Sequence, residues 1–188
     1  MAVPAEAGIT LLILSYTLKK TLAIINELKK EGLIKDYAIG GAIGALRWTQ
    51  PFFTEDLDIF IILGKETKEK ELIVLSPVYE YLKKSGYTWK GRWIIIEGVP
   101  VDIFPVDELE KKAVEDAEKI EYEGTKTKVI KPEYLIALFL RASRDKDLRK
   151  IEMILKQTNV DREKLNEILN KYGLTKKFTN FRKKYYEK

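Results

Sequence analysis

The 188-residue chain has no cysteine and no histidine, and only two methionines and six prolines. Without cysteine there is no disulfide framework, no thiol nucleophile and no thiolate-held zinc. Without histidine, serine–histidine hydrolases, imidazole-held metals and the usual proton carrier near neutral pH fall away too. Chemistry must then use carboxylates, lysines, tyrosines, hydroxyls or a metal held by oxygen, and oxygen ligands select hard cations, Mg2+ or Mn2+. Long apolar runs are also missing. The stretch Gly8-Ile-Thr-Leu-Leu-Ile-Leu-Ser15 has no basic residue before it, and Lys19 and Lys20 follow too soon for a membrane span. Cytoplasmic residence, with no membrane partner, is the expectation.

What is present is a chain 45% hydrophobic and 34% charged, the balance of a globular protein. Its length allows one well-buried core, or a catalytic domain with a helical appendage. A formal charge of +5 and a pI near 9.1 favour polyanionic partners such as nucleotides, tRNA or other nucleic acid.

Apolar residues at 11, 14, 18, 22, 25 and 28 predict an amphipathic helix over 9–30. A short strand at 37–39 ends at Gly40-Gly41, a helix follows over 42–48, and Pro51 breaks it. Residues 57–63 read as an apolar strand buried on both faces, and 68–85 as a helix. Runs at 87–89, 93–97 and 99–106 predict antiparallel strands with a tight reversal at Glu97-Gly98. Asp107 is placed to cap a charged helix to about 119, and 120–122 with 126–130 flank a small hairpin. Beyond Pro132 the pattern is helical, at 132–143, 145–157 and 161–171, before a tail of cations and aromatics at 176–186. Such a tail can grip RNA, but Phe178, Phe181 and Tyr185 also fit a helical apolar stripe, and packing is the favoured reading. The expected organisation is a core over 1–131 and a helical region over 132–188.

The chemistry concentrates in Ile39-Gly-Gly-Ala-Ile-Gly-Ala-Leu-Arg47 and Thr54-Glu-Asp-Leu-Asp-Ile-Phe60. Side chains alternate along a strand, so Asp56 and Asp58 share a face and repel unless a cation lies between them. Asp102, in the apolar run Val99-Pro-Val-Asp-Ile-Phe-Pro105, offers a third acid from a neighbouring strand. Gly40 and Gly41 stand between a strand and a helix start, where backbone N–H groups can hold phosphate. Taken singly each has an ordinary reading: a turn for the glycines, a solvated strand face for the acid pair, and an ion pair with Arg92 or Lys90 for Asp102.

In this order, these motifs resemble the polymerase-beta-like nucleotidyltransferase superfamily, specifically its minimal nucleotidyltransferases and AbiEii-type toxins. The likeness covers roughly residues 35–155 and extends to Pro132-Glu-Tyr-Leu-Ile-Ala137 and Arg144-Asp-Lys-Asp-Leu148. It implies an α/β (α+β) nucleotidyltransferase fold, a mixed β-sheet flanked by helices and followed by a C-terminal helical bundle. It implies a reaction in which a nucleoside monophosphate passes from a nucleoside triphosphate to an acceptor hydroxyl on RNA such as a tRNA 3′ end, a protein or a small molecule. Asp56, Asp58 and Asp102 would hold Mg2+ or Mn2+. Gly40, Gly41, Thr54, Arg47, Arg144 and Lys146 would contact the nucleotide, and a toxin role would bring an antitoxin partner. Three positions depart from the pattern: Phe52 replaces a common Arg, Phe139 a frequent Lys, and Lys150 a frequent Asp. A silent nucleotide-binding or RNA-binding module is therefore the competing expectation.

Overall fold

The computed structural model describes the backbone of residues 5–54, 56–64 and 75–186, and side chains from 17 to 185 within those spans. Seven strands form one mixed sheet: β1 (Ile34–Ile39), β2 (Leu57–Leu63), β3 (Thr88–Lys90), β4 (Trp93–Ile96), β5 (Val99–Pro105), β6 (Glu118–Tyr122) and β7 (Thr125–Val129). Their spatial order is β3-β4-β5-β2-β1-β7-β6. The central neighbours β2 and β5 run parallel, as do β1 and β7, and the remaining pairs are antiparallel.

Side-chain alternation sorts the sheet into two faces. Leu57, Ile59 and Ile61 of β2 and Val101 and Ile103 of β5 point to one face. There they meet Leu22, Ile25 and Leu28 of α1 (Ala5–Lys30) and Val78 and Leu82 of α3 (Ser76–Lys84), the helix that follows α2 (Gly41–Leu46) in the chain. The predicted stripe thus packs from position 18 onward, while positions 11 and 14, and the 68–74 part of the expected helix, lie outside the described side chains. The hydroxyl of Thr21, fully buried in α1, donates to the carbonyl of Ile96 at 3.0 Å.

The opposite face receives α2 (Gly41–Leu46), α4 (Glu108–Glu115) and the helices α5 (Pro132–Ala142), α6 (Asp145–Gln157), α7 (Arg162–Lys171) and α8 (Thr175–Phe181). Residues 132–140 of α5 are all buried, so this helix is the hydrophobic centre of that side. α8 continues into a wider turn, Arg182–Tyr186. Phe181 of the tail is buried and stacks with Phe178 at 6.3 Å and Tyr185 at 5.6 Å. The aromatic stripe therefore packs.

Local chemistry explains most boundaries. Asp107 accepts from the Glu110 backbone N–H while Glu110 reaches back to the Asp107 N–H, each at 3.0 Å, a reciprocal cap on α4. The helix stops at Glu115, short of the expected 119, because residues 118–122 pair with β7 as a strand. Glu97 and Gly98 both adopt positive φ, the two-residue hairpin turn that matches strand twist. Among the described residues no helix is long and apolar enough to cross a membrane.

Candidate active site

The face of the sheet that carries α2 and α5 also carries the acids. Asp58 on β2 and Asp102 on β5 are direct register partners across the parallel pair, and Phe60 and Phe104 are the next same-face pair. The two phenyl rings stack at 5.3 Å and form an apolar floor beside the carboxylates. Asp56, just before β2, has the same parity as Asp58 and adds a third carboxylate. The acids predicted to converge do so because two parallel strands hold them in register, and the order β5-β2 makes those strands adjacent.

Asp58 is the most constrained. A Cβ on Gly41 would fall inside its carboxylate, and Gly41 sits at φ +53, where only glycine is at ease. The Ala42 backbone N–H donates to the Asp58 carboxyl, and the Gly40 N–H donates to the Asp58 carbonyl at 3.0 Å. The paired glycines thus first serve the aspartate: Gly41 clears space for its carboxylate and Gly40 supplies a donor to its carbonyl. Burial, and then the charges of Asp56 and Asp102, push Asp58 from 3.8 up to about 6, against the pull of Arg92 and the Ala42 N–H. Burial also raises Asp102, with Arg92 opposing.

Arg92 lies between the outer acids. Its Nη2 is 3.2 Å from Asp56 Oδ2 and its Nε 3.2 Å from Asp102 Oδ2. The Trp93 indole N–H also donates to Asp56 Oδ2, at 3.3 Å. The ion pair with Arg92 expected as the ordinary reading of Asp102 is therefore present, alongside its convergence with the other acids. With the guanidinium in place, the described residues contain no ready-made cluster of three metal-ligating side chains. The donor set nevertheless suits a hard divalent ion: three carboxylates on one face, with no thiolate or imidazole in the chain to compete.

Asp56 and Asp58 open onto a cleft of about 920 Å³, lined by them with Gly41 and Thr54 on the sheet side and by Arg144, Lys146, Arg149 and Lys150 on the helical side, with Asp102 behind the lining at the register position beside Asp58. Phe53 stands on the rim, 85% exposed. Arg144 pairs with Asp147 at 2.5 Å, and Lys150 with Asp147 at 3.5 Å. Lys150 also sits 5.4 Å above the Phe139 ring, so two of the three departures from the motif meet each other. Arg141 pairs with Asp107 and Glu110 at the cleft edge.

Residues 17–178 match the family described as "Nucleotidyl transferase of unknown function (DUF2204)". The chain belongs to that family. Comparison with curated proteins finds no match. Among solved structures, an antigenic nucleotidyltransferase-like protein from Paracoccidioides brasiliensis is similar over 89% of this chain and 93% of its own, at 15% identity and a TM-score of 0.50. That likeness is one of fold. The solution structure of the antibiotic-resistance factor ANT(2'')-Ia is similar over 93% of this chain and 97% of its own, at 14% identity and a TM-score of 0.47.

Of the residues the sequence singled out, Gly41, Thr54, Asp56, Asp58, Arg144 and Lys146 line one cleft, and the Gly40 N–H bonds to the Asp58 carbonyl beside it. Arg47 does not join them. It follows the last residue of α2, pairs with Glu118 of the edge strand β6 at 3.0 Å and lies over the Trp48 ring, away from the cleft lining. The helical wall went partly unrecognised. Lys146, Arg149, Lys150 and Met153 recur at i, i+3, i+4 and i+7, a single stripe of α6. That spacing was the available signal.

Proposed function

We propose that this protein is a divalent-cation-dependent nucleotidyltransferase that transfers a nucleoside monophosphate from a nucleoside triphosphate to an acceptor hydroxyl, with release of pyrophosphate. The observation that carries the reading is the register pairing of Asp58 with Asp102, joined by Asp56, at the mouth of a cleft whose other wall is cationic. Asp56, Asp58 and Asp102 would hold the cation. Bound there, Mg2+ or Mn2+ neutralises triphosphate charge and lowers the pKa of the attacking hydroxyl.

The rest falls to the chain's own residues. Arg144, Lys146, Arg149 and Lys150 face the acids across the cleft, where a triphosphate would meet positive charge on the helical side. Thr54 and Gly41 border the same space and present small groups to the phosphates. The acceptor oxygen forms its bond to the α-phosphorus as the bond from that phosphorus to the bridging oxygen breaks; the electron pair leaves with pyrophosphate, and the hydroxyl's proton passes to solvent. Positioning and charge neutralisation supply most of the acceleration. Phe60 and Phe104, stacked beside the carboxylates, keep water from one side of the site. The acceptor is a hydroxyl on RNA, on a protein side chain or on a small molecule.

The test is incubation of the purified protein with α-labelled nucleoside triphosphates, Mg2+ and either total RNA or cell lysate. Label on a macromolecule, lost with EDTA and with Asp58→Asn, is the expected result. Nucleotide binding without transfer to any acceptor would favour the silent-module reading.

A further inference from the structure

The cation that the three acids call for has a stand-in within the chain. Gly91, at φ +63, and Arg92 form the two-residue link between Lys90 of β3 and Trp93 of β4, which are register partners. From that tight turn Arg92 reaches back over the sheet end and spans the outer acids, with Asp56 Oδ2 and Asp102 Oδ2 each 3.2 Å away. The guanidinium also lies 5.2 Å from the centre of the Trp93 ring, whose indole N–H donates to the same Asp56 oxygen. The two ends of the bridge differ in burial: the Arg92 side chain is 56% exposed and that of Asp102 is 12% exposed. The acids are anchored in the fold, whereas the arginine is attached only through a short turn and half in solvent.

A guanidinium and a divalent ion seek the same carboxylate oxygens. We propose that Arg92 is a resident counter-cation, which offsets the repulsion among Asp56, Asp58 and Asp102 in the metal-free protein and must withdraw before a divalent ion can load. Arg92 then sets the metal concentration at which the site fills. Because both of its ion pairs are partly exposed and therefore weak, withdrawal is easy, and the effect on affinity is moderate rather than absolute. This inference rests on the reading that these three acids hold the cation.

The test is direct Mn2+ binding to the full chain, read from the electron paramagnetic resonance signal of free Mn2+, for the wild type, Arg92→Met, Arg92→Lys and Asp58→Asn. Arg92→Met should bind Mn2+ roughly three- to tenfold more tightly than the wild type, and Arg92→Lys should stay close to the wild type. An unchanged or weaker affinity in Arg92→Met, with binding lost in Asp58→Asn, overturns the counter-cation role and leaves the metal site standing. No binding to the wild type, or undiminished binding to Asp58→Asn, overturns the metal site and this inference with it. A measurement needing no variant gives the same decision: Mn2+ should increase phenylglyoxal modification of Arg92 several-fold in the wild type, read by mass spectrometry, and unchanged modification contradicts the proposal.

Discussion

Replacing Asp58 with asparagine exchanges a carboxyl that resists ionisation for a neutral side chain of the same shape. Burial and the charges of Asp56 and Asp102 raise its pKa from 3.8 to about 6. A carboxyl whose folded-state pKa is raised holds its proton more tightly folded than unfolded between those two values. Wild-type stability therefore falls as pH rises from about 4 to about 6, and the loss persists above that. At roughly 1.4 kcal/mol per pH unit the full penalty is about 3 kcal/mol, and for a side chain facing an open cleft about 1–3 kcal/mol is the expected gain of Asp58→Asn at pH 7.5. Asparagine still offers an oxygen to the Ala42 N–H and brings no added bulk against Gly41, so no packing cost offsets the gain. The assay is urea unfolding in EDTA across pH 4 to 7.5, repeated with Mg2+. The variant should be more stable than the wild type at pH 7.5, the advantage should shrink toward pH 4, and Mg2+ should stabilise the wild type alone. A variant less stable at pH 7.5, or an advantage independent of pH, would refute the reasoning.

Other perturbations test separate parts of the account. Gly41→Ala sets a methyl group into the Asp58 carboxylate at a positive φ; it should cost roughly 1–3 kcal/mol in urea unfolding and depress nucleotide transfer with it. Asp102→Ala should lower the transfer rate by two or more powers of ten, at least ~3 kcal/mol in the barrier, in a labelled-nucleotide assay, while circular dichroism stays that of the wild type. Asp107→Ala removes one half of the reciprocal cap on α4 and a partner of Arg141; thermal unfolding should show a loss of about 1–2 kcal/mol. Phe181→Ala empties a buried site between Phe178 and Tyr185 and should destabilise by about 3 kcal/mol, which a solvated RNA-binding tail would not do.

The sequence was most informative where a local rule applied without competition. β2 spans 57–63 as expected, because an apolar β-branched run between Pro51 and Gly64 has no good alternative. Two of the three hairpin turns were marked by Glu-Gly pairs, at 97–98 and 123–124, and all four residues adopt positive φ. The acid trio was legible from strand alternation, though its meeting depends on β5 lying beside β2, a long-range pairing that no local pattern encodes. Residues 116–119 were misread because helical charge spacing at 110–119 competes with β6 pairing to β7, and tertiary pairing decided. Gly41 was read as a phosphate-facing turn, whereas its nearest demand is room for Asp58; that contact exists only once β1, α2 and β2 have assembled. Arg47 looked available from its position alone, but Glu118 arrives from 71 residues away to hold it.

Divalent-cation binding by Asp56, Asp58 and Asp102 is tested most directly by an anomalous-difference map from a crystal soaked with Mn2+ and a non-hydrolysable nucleoside triphosphate. The predicted result is a strong peak within bonding distance of the Asp56 and Asp58 carboxylates, with the triphosphate in the cleft toward Arg144 and Lys146 and Arg92 no longer bridging Asp56 and Asp102. A map with no peak among these acids, and Arg92 still paired to both, would contradict it.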